Sequence, residues 1–354
     1  MKERMRPGQT TASITEPLAD VATLYIPSPR NGRRFAVISR VLSAAGIHHR
    51  AIFPPLRLWR LGKLERLAID SEYCEARWRM PRNPPLLITD QPGFADKARK
   101  VIEISYDLAE AADRALSADE IYHPILFHPD QITGEAYGLA DALSGARKRP
   151  LSLLFAGNCD PATYDTPQME KDFGLLNRHE LHRLARRLPA ELVVFPKTPE
   201  ELAGLLDPAQ ANGKPLGKLV WIDTQDFRIP AAQWLDLVAK ANFFLCTPGV
   251  RYPWCQNLNE AMACGTVPVL QYPHLYNPAL TDGGDSLAFA GAEDFEAVVR
   301  RALEMPESRV ASLSGAARQY HADHLSLTRI IGEIQAFAED PERRKLVWYL
   351  AGKA

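Results

Sequence analysis

The sequence predicts an α/β protein of two domains, each built on a parallel sheet covered by helices, facing one another across a cleft. Three observations carry this. The 354 residues exceed the roughly 250–300 at which a single hydrophobic core stops growing, and 46% hydrophobic residues can fill two cores. Short β-branched runs alternate with helical patterns along most of the chain, as parallel strands joined by crossover helices do. Around residues 141–150 the polar, basic string ADALSGARKRP separates two such alternations.

Residues 1–19 are polar and aperiodic and read as a flexible leader. A strand over 21–26 runs into the turn PSPRNG, and a helix over 33–45 follows with Phe35, Ile38, Val41 and Leu42 on one face and Gly46 as its stop. Strands at 51–53, 86–90 and 101–105, with a helical piece at 95–100, complete a first domain over 20–148. The second, over 149–330, opens with LSLLF at 151–155. It continues with helices at 178–188, 199–206 and 231–241 and strands at 192–195, 219–223 and 243–246. After Tyr272 the pattern is helical, at 292–303 and 307–339, and residues 331–354 are expected as a C-terminal helix returning to the first domain.

A net charge of −1 and a pI near 6.8 give no global reason to expect a nucleic-acid partner. Five cysteines without C-x-x-C spacing argue against a disulfide framework and a structural zinc site. With no run of ~18 apolar residues and no apolar signal segment, the expectation is a cytoplasmic protein. Two stretches, PPLRLWRLGKLERL at 54–67 and RRKLVWYL at 343–350, mix basic residues with leucine and tryptophan and suit a peripheral contact with the inner face of a membrane.

In open parallel sheets, ligands bind beyond the carboxyl ends of strands. There the sequence places TPGVRYPWCQ, after which a helix begins near Asn257 and presents unpaired N–H groups and a positive dipole end to an anion. Thr247, Gly249, Arg251, Gln256 and Asn257 belong to this loop and helix start. Arg251 adds a permanent cation that can fork onto phosphate. Glu260 is expected in the first turn, accepting hydrogen bonds from vicinal hydroxyls; complementing the helix dipole is its alternative use.

CTPGVRYPWCQNLNEAMACGTVPVL, residues 246–270, resembles the donor-binding segment of GT-B glycosyltransferases, exostosin-like members above all, with its N-x-x-E-A-x-A-x-G-x-P-V helix. GGDSLAF, EDFEAVVRRALEM and YHADHLS extend the resemblance, which is clearest over 241–325. It implies two Rossmann-like domains, a nucleotide-sugar donor and a saccharide or lipid-linked glycan acceptor. Retaining members often carry a second acid eight positions before the glutamate. Tyr252 stands there, so transfer with inversion is expected.

An inverting enzyme needs a base from the first domain. Asp90, ending LLITD, is the first candidate and Asp107, in ISYD, the second; His48, His49, His123 and His128 are also considered. Asp90 would otherwise cap a turn into Gln91-Pro-Gly93. Gly157 and Asn158 after LSLLF, Lys197 after LVVF, and Asp223 with Phe227 after KLVWI complete the expected donor site. No metal or other cofactor is expected, because His321 and His324 of HADH lack a carboxylate at ligating spacing. A nucleotide-sugar 2-epimerase and a non-catalytic glycan- or nucleotide-binding module are the rival functions on such a fold.

Overall fold

The computed structural model describes residues 22–58, 60–132, 143, 149–207 and 214–352. The expected leader, most of the 141–150 boundary and Trp59 lie outside them. Six strands open the chain: β1 (Ala22–Tyr25), β2 (His49–Ile52), β3 (Cys74–Arg77), β4 (Leu86–Thr89), β5 (Lys100–Ser105) and β6 (Glu120–Tyr122). Six more follow: β7 (Leu151–Gly157), β8 (Val193–Val194), β9 (Leu216–Asp223), β10 (Ala241–Leu245), β11 (Val267–Leu270) and β12 (Leu287–Ala288). A last strand, β13 (Lys345–Tyr349), closes the chain. They form a seven-stranded sheet in the order β3-β2-β1-β4-β5-β13-β6 and a six-stranded sheet in the order β12-β11-β10-β7-β9-β8. Every strand pairing is parallel.

Parallel strands are covered on both faces, so their residues are apolar without alternation. The LLIT of β4 and the VPVL of β11 are wholly buried, as are the first six residues of β7. In each sheet the first strand of the half, β1 or β7, is flanked by strands reached in opposite directions, β2 and β4 in the first sheet and β9 and β10 in the second. These are the two places where the loops beyond the strand ends diverge and leave a crevice.

The sequence expectation of a helix over 331–354 is corrected. Helix Leu327–Glu339 ends at Asp340, and KLVWY then enters the first sheet between β5 and β6, burying Leu346 and Trp348. Branched and aromatic residues here fit a pleated, buried strand better than a helix. The continuous helix expected over 307–339 is also interrupted, by a π turn at His321–Leu325.

The basic-apolar stretch at 54–67 forms helices Pro55–Leu58 and Lys63–Ile69. Arg57 is buried and ion-paired with Glu65, while Leu56 is 85% exposed. Among the described residues no helix is long and apolar enough to cross a membrane.

Candidate functional site

Both halves contribute walls to a cavity of ≈ 730 Å³ at the carboxyl ends of the strands. From the first come Arg33, Arg34 and Ile125–Gln131 except Pro129; from the second come Gly157, Asn158, Tyr164, Arg178, Trp234 and Gly249–Asn257 except Pro253, with Glu260 behind them.

The loop after β10 is shaped by its glycine. A Cβ on Gly249 would lie 2.8 Å from the carbonyl oxygen of Tyr252, so the backbone doubles back where a larger residue would not fit. Helix Gln256–Ala263 follows, and its preceding Cys255 makes no side-chain cap bond. Its amino end therefore faces the cavity with Gln256 and Asn257 on the wall. Gly265, at φ +68°, ends the helix in a Schellman turn, with Thr266 N–H donating to Ala261 O at 2.8 Å.

Glu260 is the fifth residue of this helix, not a first-turn residue, and is only 1% exposed. Its Oε1 accepts the backbone N–H of His128 at 2.8 Å and its Oε2 accepts Trp234 Nε1–H at 2.6 Å. Burial raises its pKa, while these two bonds and the charge of Arg33 pull it back down. The neighbouring Asn259 donates to Ile125 O at 2.9 Å. The helix thus binds the 125–131 segment of the first half through two consecutive side chains.

Four arginines line the cavity. Arg178, buried at the start of helix Arg178–Ala185, donates to Asn158 O at 3.3 Å and Pro248 O at 3.2 Å and lies 4.1 Å from the Tyr164 ring centroid. Arg34 donates to Ala351 O and sits 5.1 Å over the Tyr252 ring, reaching across the cleft. Burial, then the like charge of Arg33, brings the Arg34 pKa to about 10. Arg33 and Arg251 are exposed to the cavity and make no hydrogen bond or ion pair with the described residues.

His128 stands in the wall beside Asp130. Its Nδ1 accepts the Asp130 N–H at 3.2 Å and lies 3.7 Å from Asp130 Oδ2. Burial, then the charge of Arg33, lowers its pKa, against the opposing pull of Asp130.

Of the residues singled out from sequence, Gly157, Asn158, Gly249, Arg251, Gln256, Asn257 and Glu260 line the cavity, and Asp90, Asp107, Lys197, Asp223, Phe227 and Thr247 do not. Asp90 accepts Asn31 Nδ2–H and Tyr106 O–H, each at 2.9 Å, and so braces the start of the helix that carries Arg33 and Arg34. Asp107 is exposed at the start of a short helix. Lys197 is ion-paired with Asp226 at 2.7 Å, Phe227 packs on the core, and Thr247 is buried. His49 and His123 are buried, and burial takes each to a pKa of about 4. His321 is buried beside Phe127.

Sequence reasoning missed Arg33, Arg34, Arg178, Tyr164, Trp234 and Asp130. The first two carried a signal. Helix Gly32–Ala44 has no acid in its first turn but two arginines, where the dipole favours anions. Such a placement is unfavourable unless an anion is to be met there.

Two parallel α/β sheets sharing one cleft at their strand ends have the GT-B architecture. The solved structures similar to this chain include Anabaena Alr3699/HepE in complex with UDP, at 10% identity and a TM-score of 0.49 over 89% of this chain and 98% of that one. A glycosyltransferase from Rickettsia africae ESF-5 is similar at 10% identity and a TM-score of 0.49, over 91% and 98%. The spinosyn forosaminyltransferase SpnP is similar at 11% identity and 0.47, over 91% and 100%. No protein-family model and no curated protein matches the chain.

Proposed function

We propose that the chain is a glycosyltransferase that moves a sugar from a nucleotide-sugar donor to a hydroxyl of a saccharide or other glycan acceptor, lipid-linked glycans included. In this reading residues 149–330 bind the donor, residues 20–148 bind the acceptor, and 331–354 tie the two together. The observation that carries it is the cavity: four arginines from both halves meet at an open helix amino end. Its ≈ 730 Å³ falls within the roughly 300–1,000 Å³ typical of small-ligand sites.

Arg251, Arg178 and the N–H groups of Gln256 and Asn257 would take the diphosphate, with Arg33 closing on it from the first half. Fixed cations stabilise a departing diphosphate without a metal. Gly157 lets the Phe155 ring and the Arg178 guanidinium pack close to the backbone on the cavity wall, where a Cβ would come within 3.1 Å of the ring and 3.4 Å of the guanidinium. Glu260 meets the ribose only through lone pairs that His128 and Trp234 leave unused; its first task is to hold those two walls.

For inversion, the cavity favours His128 as the base over Asp90 and Asp107. Nδ1 accepts the Asp130 N–H, so the neutral ring here carries its proton on Nε2. A tautomer shift that moves the proton to Nδ1, toward Asp130 Oδ2 at 3.7 Å, would free Nε2 to take the proton of an acceptor hydroxyl, and the lowered pKa favours the neutral ring that this needs. Closure around both substrates would exclude the water that otherwise hydrolyses the donor.

A thermal-shift series with UDP, GDP, CMP and their sugars tests the donor site. A ligand at ~100 times its Kd adds about 2.7 kcal/mol, and absence of any stabilisation overturns the reading. Product analysis with and without a glycan acceptor then separates transfer from epimerisation, which needs no acceptor.

A further inference from the structure

Outside the cavity, three residues of metal-ligating type come together that are far apart in sequence. Cys159 follows β7, His182 lies in helix Arg178–Ala185, and Asp223 ends β9. One sulfur, one ring nitrogen and one carboxylate oxygen from them all lie within 4.8 Å of one another.

We infer that Cys159, His182 and Asp223 form a binding site for a zinc-class divalent transition metal, beside the nucleotide-sugar cavity and separate from it. The donor set is one soft thiolate, one imidazole and one carboxylate, which suits zinc and excludes magnesium or calcium as the preferred ion. Zinc bonds of about 2.0–2.3 Å in a tetrahedron place ligand atoms roughly 3.3–3.8 Å apart, so side-chain adjustments of about an ångström close the site.

The three side chains are free to do so. The His182 ring makes no hydrogen bond to the described residues, and its Nδ1 is buried without a partner among them. The thiol of buried Cys159 makes a long contact with Gly157 O, at 3.8 Å, and lies beside the Trp221 indole. Asp223 uses Oδ1 for the N–H groups of Cys159, at 3.3 Å, and Gln225, at 3.0 Å, which orients the carboxylate and leaves Oδ2 without a donor among the described residues. Three protein ligands leave a fourth position for water.

The metal would not touch the donor. It would staple three segments whose neighbours Asn158, Arg178 and Thr224 line the cavity, fixing that wall. This second role rests on the glycosyltransferase reading; the metal site itself does not.

The test uses the full chain, reduced and freed of metal with a chelator. Co²⁺ added alone is expected to bind one equivalent with a thiolate-to-cobalt charge-transfer band and tetrahedral d–d bands, and Zn²⁺ is expected to displace it. Cys159→Ser should abolish the charge-transfer band. Asp223→Asn and His182→Gln should each weaken Zn²⁺ binding at least about tenfold, since losing even an outer partner of a ligand typically costs 10–100-fold. Circular dichroism confirms that each variant is folded. A failure of the wild type to take up Co²⁺ or Zn²⁺ at micromolar metal, a cobalt spectrum without the charge-transfer band, or one unchanged in folded Cys159→Ser overturns the site. Any of these leaves nucleotide binding untouched, so a failed metal site and a failed donor site are told apart.

Discussion

Replacing Glu260 by Gln probes the contact that joins the two halves. The carboxylate offers one oxygen to each of two N–H donors, His128 N–H at 2.8 Å and Trp234 Nε1–H at 2.6 Å. Glutamine offers one oxygen and one NH₂, so one donor must face another donor. An unsatisfied buried donor costs about 1–3 kcal/mol, and a hydrogen bond to a charged group contributes about 1.5–3. Against this, the amide escapes the desolvation that raises the Glu260 pKa. The net loss of stability for Glu260→Gln is then about 1–3 kcal/mol. Trp234→Phe removes the second donor, and in that background the glutamine oxygen serves His128 alone. There Glu260→Gln should cost about 1 kcal/mol or less. Urea unfolding of the four proteins closes a double-mutant cycle with a coupling of about 1 kcal/mol or more. Additivity within about 0.5 kcal/mol would refute the two-donor account. Nucleotide affinity adds a second readout: a folded Glu260→Gln that binds nucleotide normally but turns over slowly assigns Glu260 to positioning His128, whereas lost binding assigns it a ribose contact.

Arg33→Ala should fold normally, since Arg33 is exposed and bonds to nothing among the described residues, yet bind nucleotide about ten- to a hundredfold more weakly by titration calorimetry, the size of one charged hydrogen bond. His128 must be neutral to act as base; because its pKa is lowered from the ordinary 6.5, kcat/KM should stay flat down to pH 6.5 and fall only below it, and His128→Gln should remove that limb. Burial takes His49 from 6.5 to about 4, so its unfolded form binds the proton first. Its contribution to stability is full above pH 6.5 and is lost as pH falls toward 4, at about 1.4 kcal/mol per unit; unfolding of His49→Gln should show a shallower acid slope over that window. Tyr252→Phe keeps the ring under Arg34 and should leave kcat/KM unchanged, whereas Tyr252→Ala loses a cation–π contact worth about 0.5–2 kcal/mol and should lower it.

The alternation of strands and helices was legible because period and composition are local properties. LLITD, LSLLF and the motif at 246–270 each became the expected element. The return of β13 was not, because a five-residue strand inserted between β5 and β6 is specified by partners some 225–245 residues away in sequence. The same limit applied to the site. Gly249, Arg251, Gln256 and Asn257 share one loop and helix start, so a contiguous string revealed them. Arg178, Trp234 and the Cys159, His182, Asp223 group are united only by where β7, β9 and their crossover helices end. Asp90 was misleading for a physical reason: a strand-terminal acid can face the cleft or brace the adjacent loop, and Asn31 and Tyr106 draw it to the second.

The motif at 246–270 gains a second meaning from these contacts. Read as sequence, it resembles a donor-binding segment with Tyr252 where a second acid often stands. In the fold, Tyr252 and Glu260 both reach the first half, one beneath Arg34 at 5.1 Å and the other at the His128 N–H. Between them lie Gln256 and Asn257, which line the cavity. A donor seated on that helix end would therefore be flanked by two of the contacts that join the halves. Arg34 is the neighbour in sequence of Arg33, which the proposed mechanism sets on the diphosphate, and His128 is its proposed base. Loosening either contact moves a cation or a base relative to the donor without changing any donor contact. In the proposed mechanism the residue at 252 would act through the position of Arg34, so its identity would bear on catalysis even though it carries no charge.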